Sequence, residues 1–124
     1  METKAEKILY ITTIGAENPE KAAFPFVLAN AALAMDIEAT IVMQGSAVEF
    51  AKTGFVDTIP AAGGLPPMKK LLADFLELGG KTLVCGPCIK EYGVKESELV
   101  AGAEVTAAAQ INIAALAADA VLVY

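Results

Sequence analysis

The first apolar run is Lys7–Ile14 (KILYITTI), rich in β-branched side chains and stopped by Gly15. Apolarity without alternation over so short a stretch predicts a strand covered on both faces, inside a sheet rather than at its edge. Asn18 and Pro19 then supply a cap and a first-turn proline for a helix over Glu20–Met35. Apolar positions run almost all the way round this helix, so its neighbours should largely cover it. Pro25 conflicts with the pattern. An internal proline removes one backbone hydrogen bond and costs about 3 kcal/mol, which predicts a kink near Ala22–Phe24 or a frayed first turn.

Ile37–Met43 reads as the second strand and Ser46 as the cap of a short helix over Ala47–Lys52. Thr53–Pro67 is a long connection containing glycine and proline, of a length at which loops are often lids or binding loops. Met68, Leu71, Leu72, Phe75 and Leu76 have helical spacing within Pro66–Leu78, with Gly79–Gly80 as the stop. Lys81–Cys85 follows as a third strand, Lys95–Ala101 as a short helix capped near Glu96 or Ser97, and Ala103–Val105 as a fourth strand. An alanine-rich helix over Ala107–Ala118 and a strand over Val121–Tyr124 close the chain. Strands alternating with helices predict a single three-layer α/β/α domain over residues 1–124, built on a mostly parallel sheet of about five strands. In such sheets ligands sit at the carboxyl ends of the strands.

Composition then narrows the chemistry. The 124 residues are 56% hydrophobic and include no His, no Arg and no Trp. Without His, Ser-His-Asp and Cys-His nucleophile pairs and nearly all zinc-hydrolase designs are unavailable. Fifteen acidic residues against nine lysines give a net charge of -6, the wrong balance for binding a phosphate backbone, so nucleic acid is not an expected partner. The longest uncharged stretches, Ala22–Met35 and Val105–Ala118, are 14 residues each, short of the roughly 20 that a membrane helix needs. Met1–Lys7 is polar and lacks a signal or lipidation pattern, so a cytoplasmic, reducing location is the expectation. The 24 alanines allow close helix packing within the domain. They equally suit a helix face that packs on another subunit, where Gln110 and Asn112 would hydrogen-bond.

One reactive group stands out: Cys85-Gly86-Pro87-Cys88, where the third strand ends and a helical turn should begin. At that position Cys85 is the last strand residue or the helix cap, Pro87 suits the first turn, and backbone N–H groups facing a sulfur favour its thiolate. The plain alternative is two small buried hydrophobes. Two cysteines separated only by Gly and Pro, at the ligand-binding end of a parallel sheet, favour a reactive site. A dithiol oxidoreductase uses the same motif. Against it, Gly93 interrupts the following helix five residues after Cys88, no later proline faces the sulfurs, and Val84 stands where such sites have Trp. Two thiolates supply half a tetrahedral shell, so neither a metal nor a cofactor is expected. Tyr10 and Tyr92 either border the site or pack.

The arrangement Cys85-x-x-Cys88-x-x-x-x-Gly93-Val94, the acidic stretch Lys95–Leu99, Gly102-Ala103-Glu104-Val105 and the closing strand Ala120–Tyr124 resemble the DsrE/DsrF-like family, which includes sulfur-relay proteins. The opening strand, the alanine-rich helix Lys21–Met35 and the strand into Gln44-Gly45-Ser46 extend the resemblance over nearly the whole chain. The resemblance implies that Cys85, eight residues before Gly93, carries sulfane sulfur as a persulfide, and that Cys88 matches a second cysteine found in many relatives. It further implies sulfur-donor and sulfur-acceptor proteins as partners and a homotrimer or hexamer. Where the family often has Arg, this chain has Tyr92, which leaves Lys90 and the helix terminus as cationic or polar support for a sulfur anion. A noncatalytic scaffold of the same fold is the competing expectation.

Overall fold

The computed structural model describes residues 5–124, so part of the polar opening stretch Met1–Lys7 lies outside the described residues. Strand β1 (Lys7–Thr12) leads through a turn to α1 (Pro19–Ala34) and β2 (Glu38–Met43). Two 3-10 segments follow, Gly45–Ala51 and Phe55–Thr58, and then α2 (Met68–Glu77), β3 (Lys81–Cys85) and α3 (Gly86–Glu91). A 3-10 turn at Glu96–Glu98, β4 (Glu104–Thr106), α4 (Ala108–Ala117) and β5 (Ala120–Val123) complete the chain. The five strands form one sheet in the order β4-β3-β2-β1-β5, and every pairing is parallel. This is the expected α/β/α architecture, with β1 inside the sheet.

The two faces of the sheet are unequally covered. On one face Tyr10, Ile41, Met43 and Val84 meet α1, α2, α3 and the 3-10 segments in a large core where Phe26 packs edge-on against Phe50 and Phe75. On the other, Leu9, Val42 and Leu83 meet α4 through Ile111 alone among its fully buried residues, with Ala114, Ala115 and Ala118 beside it. The small side chains bring α4 close to the sheet but remove little apolar area from water.

Local chemistry explains where the elements begin and how they differ from the sequence pattern. Helix α1 is neither frayed nor interrupted: Asn18 Oδ1 accepts the Lys21 N–H at 3.1 Å, and helical backbone runs through Pro25, whose ring is buried. Coverage of this helix is incomplete, with Phe24 and Leu28 partly open to solvent. Ser46 does not cap a helix; Gln44 precedes a 3-10 segment and makes no side-chain capping bond. Lys95–Ala101 holds only the short 3-10 turn, because its backbone is engaged elsewhere: Thr53 N–H donates to Glu98 O at 2.8 Å and Val100 N–H to Ala51 O at 2.8 Å. The connection Thr53–Pro67 gives Val56 to the core and brings Gly63 against the Glu20 side chain. None of its residues lines the cavity beside the cysteines.

Candidate functional site

The thiol pair sits at the carboxyl end of β3, an inner strand, with Cys85 paired in register to Thr106 of β4. Cys85 is the residue preceding α3, and Pro87 lies in the first turn of that helix. Gly93, at φ 67°, takes the left-handed conformation that ends it and lets Val94 N–H reach Ile89 O at 2.8 Å. Ile89 and Val94 are buried, so the core holds the C-terminal half of the six-residue helix and the turn that follows it. Gly86 fits closely against β4, where a Cβ would lie 3.4 Å from Thr106 O and from a Val105 methyl.

Both thiols are free and half-buried. The Gly45 N–H donates to Cys88 Sγ at 3.3 Å. Burial, followed by the neighbouring Cys88 thiol, pushes the Cys85 thiol up from its ordinary value; the Cys88 amide acts in the opposite direction without closing a capping bond. The expected depression at Cys85 is thus reversed, because desolvation of the charged form outweighs one backbone donor. A cavity of about 610 Å³ opens immediately beyond the motif, lined by Gly86, Pro87, Ile89, Val94 and Val105, with Lys90 and Glu96 also on its wall.

Of the other residues singled out from sequence, Tyr10 is a core residue whose hydroxyl donates to Leu28 O at 3.2 Å. Tyr92 closes α3 with its N–H on Cys88 O at 3.0 Å, and its side chain is partly exposed away from the cavity lining. Sequence reasoning missed the Gly45 amide and, beside it, Ser46 and Glu17. The Ser46 hydroxyl donates to the Glu17 carboxylate, which also accepts the Gly15 N–H at 2.9 and 3.0 Å. The available signal was a glycine following both β1 and β2 within three residues.

Fold and site together define a small doubly wound α/β domain with a thiol pair at the carboxyl end of its sheet. The chain belongs to the DsrE/DsrF-like family, whose model matches residues 6–124. It is 31% identical over 106 residues to the uncharacterized protein MJ0760 of Methanocaldococcus jannaschii, covering 86% of this chain but only 38% of that relative's length. It is 34% identical over 98 residues to MJ0989 of the same organism, likewise uncharacterized, covering 79% of this chain and 82% of the relative. Among solved structures, the ychN protein of E. coli superposes with a TM-score of 0.71 at 14% identity, over 98% of this chain and 100% of that one. MTH1491 of Methanobacterium thermoautotrophicum, a protein of unknown function, gives 0.63 at 10% identity, over 89% and 88%. At these identities the two structures establish the fold. No helix among the described residues is long and apolar enough to cross a membrane.

Proposed function

We propose that this protein is a sulfur relay that carries sulfane sulfur as a persulfide on Cys85, in a reducing cytoplasmic compartment. The observation that supports the reading is a pair of free, half-buried thiols at the ligand-binding end of the sheet in a DsrE/DsrF-like domain. Ionised Cys85, its proton released to solvent, attacks the terminal sulfur of a donor persulfide. A new S–S bond forms on Cys85, the donor's S–S bond breaks, and the donor leaves as a thiolate. A second exchange passes that sulfur to an acceptor thiol and restores the Cys85 thiolate. The thiolate is itself the nucleophile, so the chemistry needs no His.

Cys88 has two roles compatible with its position: filling the base of the site, or attacking the Cys85 sulfur to form a disulfide and release hydrosulfide. The partners on this reading are sulfur-donor and sulfur-acceptor proteins, together with further copies of the chain in a trimer or hexamer. Ile113 and Leu116, exposed on α4, and the exposed residues of the edge strand β5 support the self-association.

Mass spectrometry after incubation with a sulfurtransferase and a sulfur donor tests the carrier role. A one-sulfur increment on the wild type, lost in Cys85→Ser, is the expected result; equal gain by both proteins, or gain by neither, removes Cys85 as the carrier. Insulin reduction requiring both thiols would instead identify a dithiol oxidoreductase.

A further inference from the structure

The cavity of about 610 Å³ beyond the cysteines has no part in the exchange chemistry set out for Cys85. Gly86 and Pro87, the two residues between the cysteines, line one part of it, and Val105 of the edge strand β4 lines another. Val105 stays 41% exposed, since no further strand lies beside β4 and the cavity opens against its side chain. Ile89 and Val94, both buried, add apolar surface from α3 and the turn after it. Two opposite charges complete the wall: Lys90 of α3 and Glu96 of the following 3-10 turn. Among the described residues neither forms an ion pair, whereas Glu98, two residues on, pairs with Lys52 at 3.6 Å and accepts the Lys95 N–H at 2.9 Å. With Thr53 N–H on Glu98 O at 2.8 Å, these contacts anchor the turn that carries Glu96.

A largely apolar hollow of this size falls within the range of roughly 300–1,000 Å³ that holds small molecules. Its two charges select what enters: a carboxylate for Lys90 and an ammonium group for Glu96. A neutral apolar ligand would draw both charges out of water without pairing either. The adjoining chemistry sets the rest, because a ligand seated against Gly86 and Pro87 lies beside the backbone that joins the two thiols. Resting on the reading of Cys85 as a persulfide carrier, we infer that the cavity binds a low-molecular-weight thiol persulfide of amino-acid or short-peptide type, with both a carboxylate and an ammonium group, as a sulfur donor to Cys85. The Cys85 thiolate attacks the outer sulfur of the bound R–S–SH. A bond forms from Cys85 Sγ to that sulfur, the ligand's S–S bond breaks, and the ligand leaves as RS⁻, which takes a proton from solvent. Sulfane sulfur passes from one thiol to another, so no oxidant or reductant is consumed.

Binding and transfer are tested separately on the full chain. S-methylglutathione has no sulfur to give, so its titration into isotope-labelled protein reads the site alone, and saturable NMR shifts at the amides of Gly86, Ile89, Val94 and Val105 are expected. Lys90→Gln and Glu96→Gln should each weaken its binding about twofold to fivefold, the range of an exposed ion pair. Esterifying the ligand's carboxylates should remove the effect of Lys90→Gln, and acetylating its amine the effect of Glu96→Gln. Absence of saturable shifts at these residues, or unchanged affinity in either variant, overturns the inference. Glutathione persulfide then tests the donor role by mass spectrometry. A one-sulfur increment on Cys85 is expected at a rate that saturates with concentration, with half-saturation raised by Lys90→Gln in the same proportion as its binding defect. A rate linear in concentration, or no loading while a protein sulfurtransferase still loads Cys85, also overturns the inference and leaves the carrier reading standing. Failure of every donor to load Cys85 defeats the carrier reading, and the donor role with it.

Discussion

At the scale of single residues, desolvation of Cys85 sets the pH dependence of the site. A thiol raised in the folded state is held protonated, so its contribution to stability is present below the unfolded value, about 8.5, and lost as pH rises through the folded one. Alkylation of Cys85 should therefore keep accelerating above pH about 8.5; a plateau reached by pH 7 would show a thiolate already formed. For Glu17 the sign is opposite. Its carboxyl is lowered, so the tie to Ser46 persists through weak acid and is lost only as pH falls below the ordinary carboxylate range. Gly15 is sterically committed by backbone: Gly15→Ala drives a Cβ into the Ser46 backbone and should cost about 1–3 kcal/mol in denaturant unfolding, whereas no change would mean the turns separate freely. The cysteines were legible because their spacing is local. Glu17 and Ser46 were not, since only the register of β1 on β2 brings them together.

Among the elements, the strands and long helices were legible from periodicity, with ends displaced by a residue or two. Asn18 is the clearest case of an end dictated by one side chain. Asn18→Ala removes the acceptor for Lys21 N–H and should lower stability by about 1 kcal/mol, seen as a reduced denaturation midpoint; an unchanged midpoint would mean that Pro19 alone sets the start of α1. The failures have a common cause. Ala47–Lys52 and Lys95–Ala101 both carry plausible helical composition, yet Lys52 and Leu99 form an antiparallel bridge flanked by the Thr53–Glu98 and Val100–Ala51 hydrogen bonds. Backbone groups committed to a distant strand-like contact cannot also serve an α-helix, and no local pattern announces that contact. Pro25 illustrates the reverse, a local penalty overridden where the residue is buried along with Ala22, Phe26 and Ala29 of the same helix.

For the whole molecule, the decisive feature is the inequality of the two sheet faces. The family of folds was readable from strand–helix alternation; the thinness of the α4 layer was not, because alanine has the same pattern whether it packs inward or faces a partner. Leu116 is 88% exposed, Ile113 65% and Val123 69%, and all four residues of the edge strand β5 are exposed. Exposed apolar side chains on α4 and on the edge strand β5 are the surface proposed for contact with a second copy. Leu116 makes so little use of its own domain that Leu116→Asp should leave monomer folding within about 0.5 kcal/mol of wild type while placing a charge in the centre of the apposed face. Sedimentation of the wild type as a trimer or hexamer, with Leu116→Asp and Ile113→Asp sedimenting as folded monomers, is the expected outcome. If the wild type sediments as a monomer, or if both variants assemble as it does, the α4 face is not the contact between copies, and the sparse cover of Leu9, Val42 and Leu83 is the finished state of the domain.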